Sequence, residues 1–204
     1  MTIESQGYPR PVPGPRRSVL AVAVLSMLTE APMHAYRMQQ LIKERHKDDV
    51  INVSQRNSVY QTIQRLLRDG LVEVEGTERA ENRPERTTYR ITPDGYEVLL
   101  GWLRDMLAEP VPEYPQFPAA LSFLPNLGVD EAISVLRVRS SRLRERLQAV
   151  QADLEHGKTF LAPVFLVETE LQARVLQVEL DYVGELVADL RSGRVTWPAR
   201  PERP

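Results

Sequence analysis

The stretch SVYQTIQRLLRDGLV, residues 58–72, reads as most of a helix together with its stop signal. Val59, Ile63, Leu66 and Leu67 recur at helical spacing and form one apolar stripe, and Gly70 stands where a left-handed cap ends a helix. Ser54 fits the N-cap, so the helix is expected to begin a turn before residue 58. Away from the stripe the helix is polar: Gln55, Arg56, Asn57, Ser58, Tyr60, Gln61, Gln64 and Arg68. A polar face alone is most often a solvated one, so the flanking elements decide what it is for.

Downstream, Val72 and Val74 alternate with Glu73 and Glu75, residues 76–85 form a polar loop, and Tyr89 and Ile91 alternate with Thr88, Arg90 and Thr92, which is a β-hairpin with a long tip. Thr92-Pro93 then supplies a cap and a first-turn proline for a helix carrying Tyr96, Leu99, Leu103 and Met106. Upstream, Ser18 caps an apolar helix over Val19 to Leu28 that the Ala31-Pro32 step breaks. A second helix is expected from His34 to Lys47 with Met38, Leu41 and Ile42 inward, followed by a β-prone stretch over Val50 to Val53.

Three helices, a short strand before the third and a hairpin after it make the order of a winged helix-turn-helix domain, whose third helix enters the major groove of DNA. The residue types suit that groove. Arginine pairs bidentately with guanine, Asn and Gln pair with adenine edges, and each good pair discriminates by roughly 1–3 kcal/mol. Ser58 and Arg68 are better placed for phosphates, while Arg79, Arg83 and Arg86 on the hairpin would meet phosphates or the minor groove, or serve solubility.

The expected organisation is mainly α: an extended Pro/Arg arm (1–17), the winged domain (18–109), a Pro-rich linker (110–118), a helical dimerisation domain (119–192) and a disordered tail (193–204). In the helical part Leu136, Ser140, Leu143, Leu147, Val150 and Leu154 keep the three-four spacing of a coiled-coil seam. The last helix carries two apolar rows, Leu171-Val175-Val178-Tyr182-Leu186 and Leu176-Leu180-Val183-Val187-Leu190, a face too wide for one partner helix. Leu143, Leu147, Val150, Leu154, Leu176, Leu180, Val183 and Val187 are accordingly expected at a homodimer contact.

Composition bounds the rest. The chain has 204 residues, 42% of them hydrophobic, and no cysteine, which excludes disulfides and thiolate metal sites. No run reaches the ~18 apolar residues of a membrane span, so a cytoplasmic protein with no membrane partner is expected. The net charge of -2 does not favour a DNA binder, and any basic footprint has to be local. Catalysis finds little footing: His34, His46 and His156 are scattered, no Gly-rich phosphate loop or nucleophile elbow is present, and neither a metal nor a cofactor is implied.

Three segments resemble one known family, the PadR-like transcriptional regulators. Pro32-Met33-His34-Ala35-Tyr36 is similar to its G-P-x-H-G-Y signature, residues 58–72 to its G-x-L-Y-x-x-L-x-x-L-x-x-x-G-L-I recognition helix, and residues 86–95 to its R-K-Y-Y-x-L-T-x-x-G wing strand. Ala31 and Ala35 replace the usual glycines, and Asn57-Ser58-Val59 replaces the usual run before the tyrosine. The likeness spans Ser18 to Leu107 and extends loosely to a C-terminal part of the size seen in the larger-domain branch.

The resemblance implies Tyr60 near the DNA backbone, a C-terminal helical domain that pairs with its twin, and repression as the usual mode. A two-fold dimer would read a palindromic operator in double-stranded DNA, with half-sites about one helical turn apart. It also implies a small aromatic or drug-like effector bound between the two domains. Trp102, Tyr114, Phe117 and Phe123 flank the linker and are the candidate effector residues, with ordinary core packing as the alternative. A different function remains open beside the regulator: a dimeric helical adaptor whose winged domain binds protein.

Overall fold

The computed structural model describes residues 15–47, 50–51, 58–78 and 86–197. By contacts the chain divides into two compact units, residues 1–112 and 113–204.

The first unit opens with α1 (Val19–Glu30), where the Ser18 hydroxyl accepts a hydrogen bond from the Ala21 amide, as an N-cap should. The extended Ala31-Pro32 step leads into β1 (Met33–His34) and α2 (Ala35–Glu44). α3 (Ser58–Arg68) ends at Gly70, whose φ of 72° is the left-handed conformation that glycine adopts without a Cβ penalty. β2 (Val72–Glu78) and β3 (Arg86–Ile91) then form an antiparallel pair, and α4 (Pro93–Ala108) follows with the Thr92 hydroxyl accepting from the Gly95 amide.

The sheet has three strands in the order β1-β3-β2. Its third strand is not where the sequence pattern put it. Val50 and Ile51 are turn and bend, residues 52 and 53 lie outside the described residues, and the strand is Met33–His34, paired antiparallel with Tyr89 and Thr88. The reason is packing: Met33 is buried in the same core as Tyr89, which anchors the hairpin at the base of α2. Val74 stands half exposed beside a β-bulge between Val74 and Gly76. α1, α2 and α3 close over one core, with Val24, Leu25, Met38, Val59, Ile63 and Leu66 almost fully buried.

The second unit contains α5 (Gln116–Ser122), a 3-10 turn at Leu124–Asn126, and two long helices, α6 (Val129–Gly157) and α7 (Val167–Ser192). α6 and α7 pack along their length as a hairpin. Gly193, with φ 72°, caps α7. No helix among the described residues is long and apolar enough to cross a membrane.

The eight positions expected at a dimer seam lie on the facing sides of this hairpin. Leu143, Leu147, Val150, Leu176, Val183 and Val187 are buried and Leu154 and Leu180 half-buried within a single chain. One apolar row of α7 is thereby used internally, and the other is left out: Leu171 is 62% exposed, Val175 55%, Val178 69% and Tyr182 49%.

Candidate nucleic-acid interface

α3 is amphipathic in a way that fixes its orientation. Val59, Thr62, Ile63 and Leu66 are buried, so 3.6-residue periodicity turns Tyr60, Gln61, Gln64 and Arg68 outward, and all four are exposed. Together with Arg65 they line one shallow concavity. The Ser58 hydroxyl at the start of the helix is buried and has no hydrogen-bond partner among the described residues. Gln55, Arg56 and Asn57, expected on the same face, lie outside the described residues, as do Arg79 and Arg83 of the wing. Arg86 opens β3 and is exposed.

Charge on this surface is partly neutralised in place. Arg68 Nε donates to Asp69 Oδ1 at 3.1 Å, and on the wing Arg90 Nε donates to Glu73 Oε1 at 2.7 Å. The hydrogen-bonding capacity of the α3 face therefore resides chiefly in Gln61, Gln64 and Tyr60, which carry no charge to satisfy.

One residue that holds this face escaped the sequence pattern. Arg65 turns sideways from α3 and donates from Nη2 to Ser18 Oγ at 3.1 Å, the same oxygen that caps α1. Its Nε is buried with no partner among the described residues. This contact spans 47 residues, so no local spacing announces it. His34 accepts from the Arg37 amide through Nδ1 at 3.0 Å and so caps α2.

The candidate effector aromatics do not share one environment. Trp102 packs on the core of the first unit, Phe117 packs on that of the second, and Tyr114 and Phe123 are 93% and 69% exposed. Titratable groups elsewhere are ordinary surface pairs: the Arg45 guanidinium hydrogen-bonded to Glu30 holds that carboxyl below its usual range, and Glu155 raises Lys158 in the same manner. No group of three or more metal-ligating side chains occurs among the described residues.

Comparison with known proteins bears on this geometry. A family profile, the Transcriptional regulator PadR-like family, matches residues 24–100. By structure the chain is similar to Bacillus subtilis PadR solved in complex with operator DNA, with a TM-score of 0.70 at 19% identity over 85% of this chain and 99% of that one. It is similar to the same protein solved with p-coumaric acid (TM-score 0.65, 16% identity, 86% and 99% covered) and to smu.1604c of Streptococcus mutans UA159 (0.63, 19%, 84% and 99%). At these identities the likeness is one of fold. No curated protein matches the chain by sequence.

Proposed function

We propose that this chain, whose residues 24–100 match the PadR-like transcriptional regulator family, is a dimeric repressor that reads a palindromic operator with α3 and is released by a small effector. The observation that carries this reading is the exposed Tyr60-Gln61-Gln64-Arg68 face of α3, held outward by a fully buried opposite stripe and braced to α1 through Arg65. Gln61 and Gln64 offer the donor-acceptor pairs that adenine edges match, and Arg68 and Arg86 suit phosphate oxygens, whereas the Ser58 hydroxyl is buried and turned away from that role. Arg56, Asn57 and Gln55 extend the same face by sequence, and Arg79 and Arg83 extend the wing.

A second copy is supported by the unused row of α7. Leu171, Val175, Val178 and Tyr182 form a continuous apolar strip along three turns, a surface that a lone helical hairpin would not leave in water. A two-fold dimer formed through this strip would carry two α3 helices, as a palindromic operator requires. B. subtilis PadR was solved with operator DNA and with p-coumaric acid, which supports an operator and an organic effector here as well.

The test is selection of random duplex DNA by the full-length protein, then titration of the recovered site with salt. A palindromic site bound with a steep salt dependence, and weakened roughly tenfold or more by Gln61→Ala or Arg56→Ala, is the expected result. Recovery of no site by an intact dimer at low salt favours the adaptor, a reading to which the net charge of -2 and the neutralised Arg68 and Arg90 lend support.

A further inference from the structure

Ser18 stands where an exposed coil meets α1, and two elements converge on its hydroxyl. Its Oγ accepts from the Ala21 amide at 3.1 Å, and from Nη2 of Arg65, 47 residues away on α3, also at 3.1 Å. The residue itself is extended, with φ -151° and ψ 152°, and the preceding Arg16 and Arg17 are exposed. Arg17 has only a loose pair, 3.6 Å to an Asp105 carboxylate that is itself largely exposed. Two adjoining arginines before an extended serine make a short basic strand of the kind that the acidic cleft of an arginine-directed kinase accepts.

The surroundings of the hydroxyl suit an anion better than a neutral group. The Arg65 guanidinium has five N–H donors, and one of them, Nε, is buried with no partner among the described residues. No acidic side chain stands in the first turn of α1 to offset the positive end of that helix, and its first amides have no acceptor within the helix. A serine hydroxyl meets only part of this demand.

We infer that Ser18 is a site of regulatory phosphorylation. The step is transfer of the γ-phosphoryl group of ATP by an arginine-directed serine kinase. The Ser18 hydroxyl gives its proton to the base of the kinase, an Oγ–P bond forms, and the bond from Pγ to the bridging oxygen breaks as ADP leaves. Ser18 is half-buried, and the hydroxyl is reached when the first turn of α1 opens, which helix ends do at little cost. The product carries a charge of about -2 and three strong acceptor oxygens, which serve the donors that the hydroxyl leaves unused, Arg65 Nε and the first amides of α1. The consequence for DNA rests on the regulator reading above. Arg65 lines the same concavity as Tyr60, Gln61, Gln64 and Arg68, so a dianion held by Arg65 borders the face that would meet an operator and repels its phosphates. Modification thus clamps α3 to α1 and weakens the grip on DNA together.

The experiment has two arms, both on the full-length protein. In the first, the protein is incubated with MgATP and the catalytic subunit of cAMP-dependent protein kinase, an arginine-directed enzyme, and its peptides are mapped by mass. One phosphate on the peptide that contains Ser18, absent from Ser18→Asn, is expected; asparagine keeps an N-cap. Recovery of that peptide without phosphate overturns the proposal. In the second arm, phosphoserine is placed at position 18 during translation and thermal unfolding is followed. The midpoint is expected to rise by a few degrees, and the same modification in Arg65→Gln to give no rise. An unchanged or lowered midpoint, or a rise that survives Arg65→Gln, overturns the proposal. Operator affinity is expected to fall about tenfold on modification, and equal affinity overturns the regulatory role. Failure of the unmodified protein to bind any operator counts against the regulator reading alone, since the mass and unfolding measurements need no DNA.

Discussion

On α3 the face turned away from the core holds Tyr60, Gln61, Gln64 and Arg68; on α7 it holds Leu171, Val175, Val178 and Tyr182. Both helices bury one stripe inside their own unit, so burial alone does not tell them apart. The difference lies in what each free face can do in water. The α3 face keeps its hydrogen bonds with solvent and exchanges them on binding at little net cost, which suits reversible recognition. The α7 face has only apolar area to offer, and every exposed valine there favours permanent cover. The first unit closes its own core and presents a polar face, while the second leaves an apolar row of α7 uncovered, as the proposed dimer requires.

That contrast can be attacked from its strongest point downward. Ile63→Ala, at a side chain only 1% exposed, is expected to cost about 2–5 kcal/mol in denaturant unfolding, whereas Gln61→Ala two residues away stays within about 0.5 kcal/mol. If both changes cost alike, the two faces of α3 are not distinct. For the second unit, dilution is the sharper tool. Its stability is expected to fall by about 1.4 kcal/mol for each tenfold drop in concentration, and Val178→Asp is expected to remove that dependence by preventing association. A melting curve indifferent to concentration in the parent protein would refute the proposed dimer.

Gly95→Ala tests the closure of the first unit at a different scale. A Cβ at this buried glycine would overlap the Leu71 carbonyl oxygen and lie 3.0 Å from Ile91 Cγ1, and that carbonyl is itself held by the Thr92 amide at 3.1 Å. Because backbone has to move, the expected loss is about 1–3 kcal/mol in thermal unfolding. Gly157→Ala in the second unit meets only side-chain atoms, crowding the end of Leu166 and touching Leu161, and is expected to cost much less. The smallest effect is the Glu30–Arg45 pair, 2.5 and 2.7 Å between its two atom pairs. Its carboxyl is held below the ordinary range by the Arg45 hydrogen bond, so its contribution is full above the unfolded glutamate pKa of about 4.3 and is lost as pH falls through the lower folded value. Being largely exposed, it is worth under about 1 kcal/mol, and the stability gap between parent and Glu30→Gln should close on acidification.

Much of this molecule is legible in its sequence because helical spacing survives as a pattern. The stripe of α3, the caps at Ser18 and Thr92, the stop at Gly70 and both rows of α7 are visible without coordinates. Which row of α7 meets α6 is not, since both have the same spacing and only the hairpin geometry selects between them. Composition points to Val50–Val53 for the third strand, but a two-residue strand has no periodicity, and the position of β1 follows from where Met33 finds Tyr89. Arg65 and Gly95 were invisible for a related reason: what they touch, Ser18 and Leu71, is close in space and distant along the chain. The linker aromatics looked like one group because they are close in sequence, and they serve separate surfaces.

One residue ties three elements of the first unit together. Thr92 accepts from the Gly95 amide to cap α4, donates from its hydroxyl to the Gly70 carbonyl at the end of α3 at 2.8 Å, and donates from its amide to Leu71 at the root of β2. The third helix, the hairpin and the fourth helix are thereby welded into a single lever, with no slack between the part that would grip DNA and the part that leads out of the unit. In the proposed regulator, a signal arriving along α4 is therefore expected to swing the grip more than to reshape it. Switching in the proposed dimer is then a question of the angle and spacing at which two such grips are presented, and the ruler against which they are judged is the pitch of the double helix.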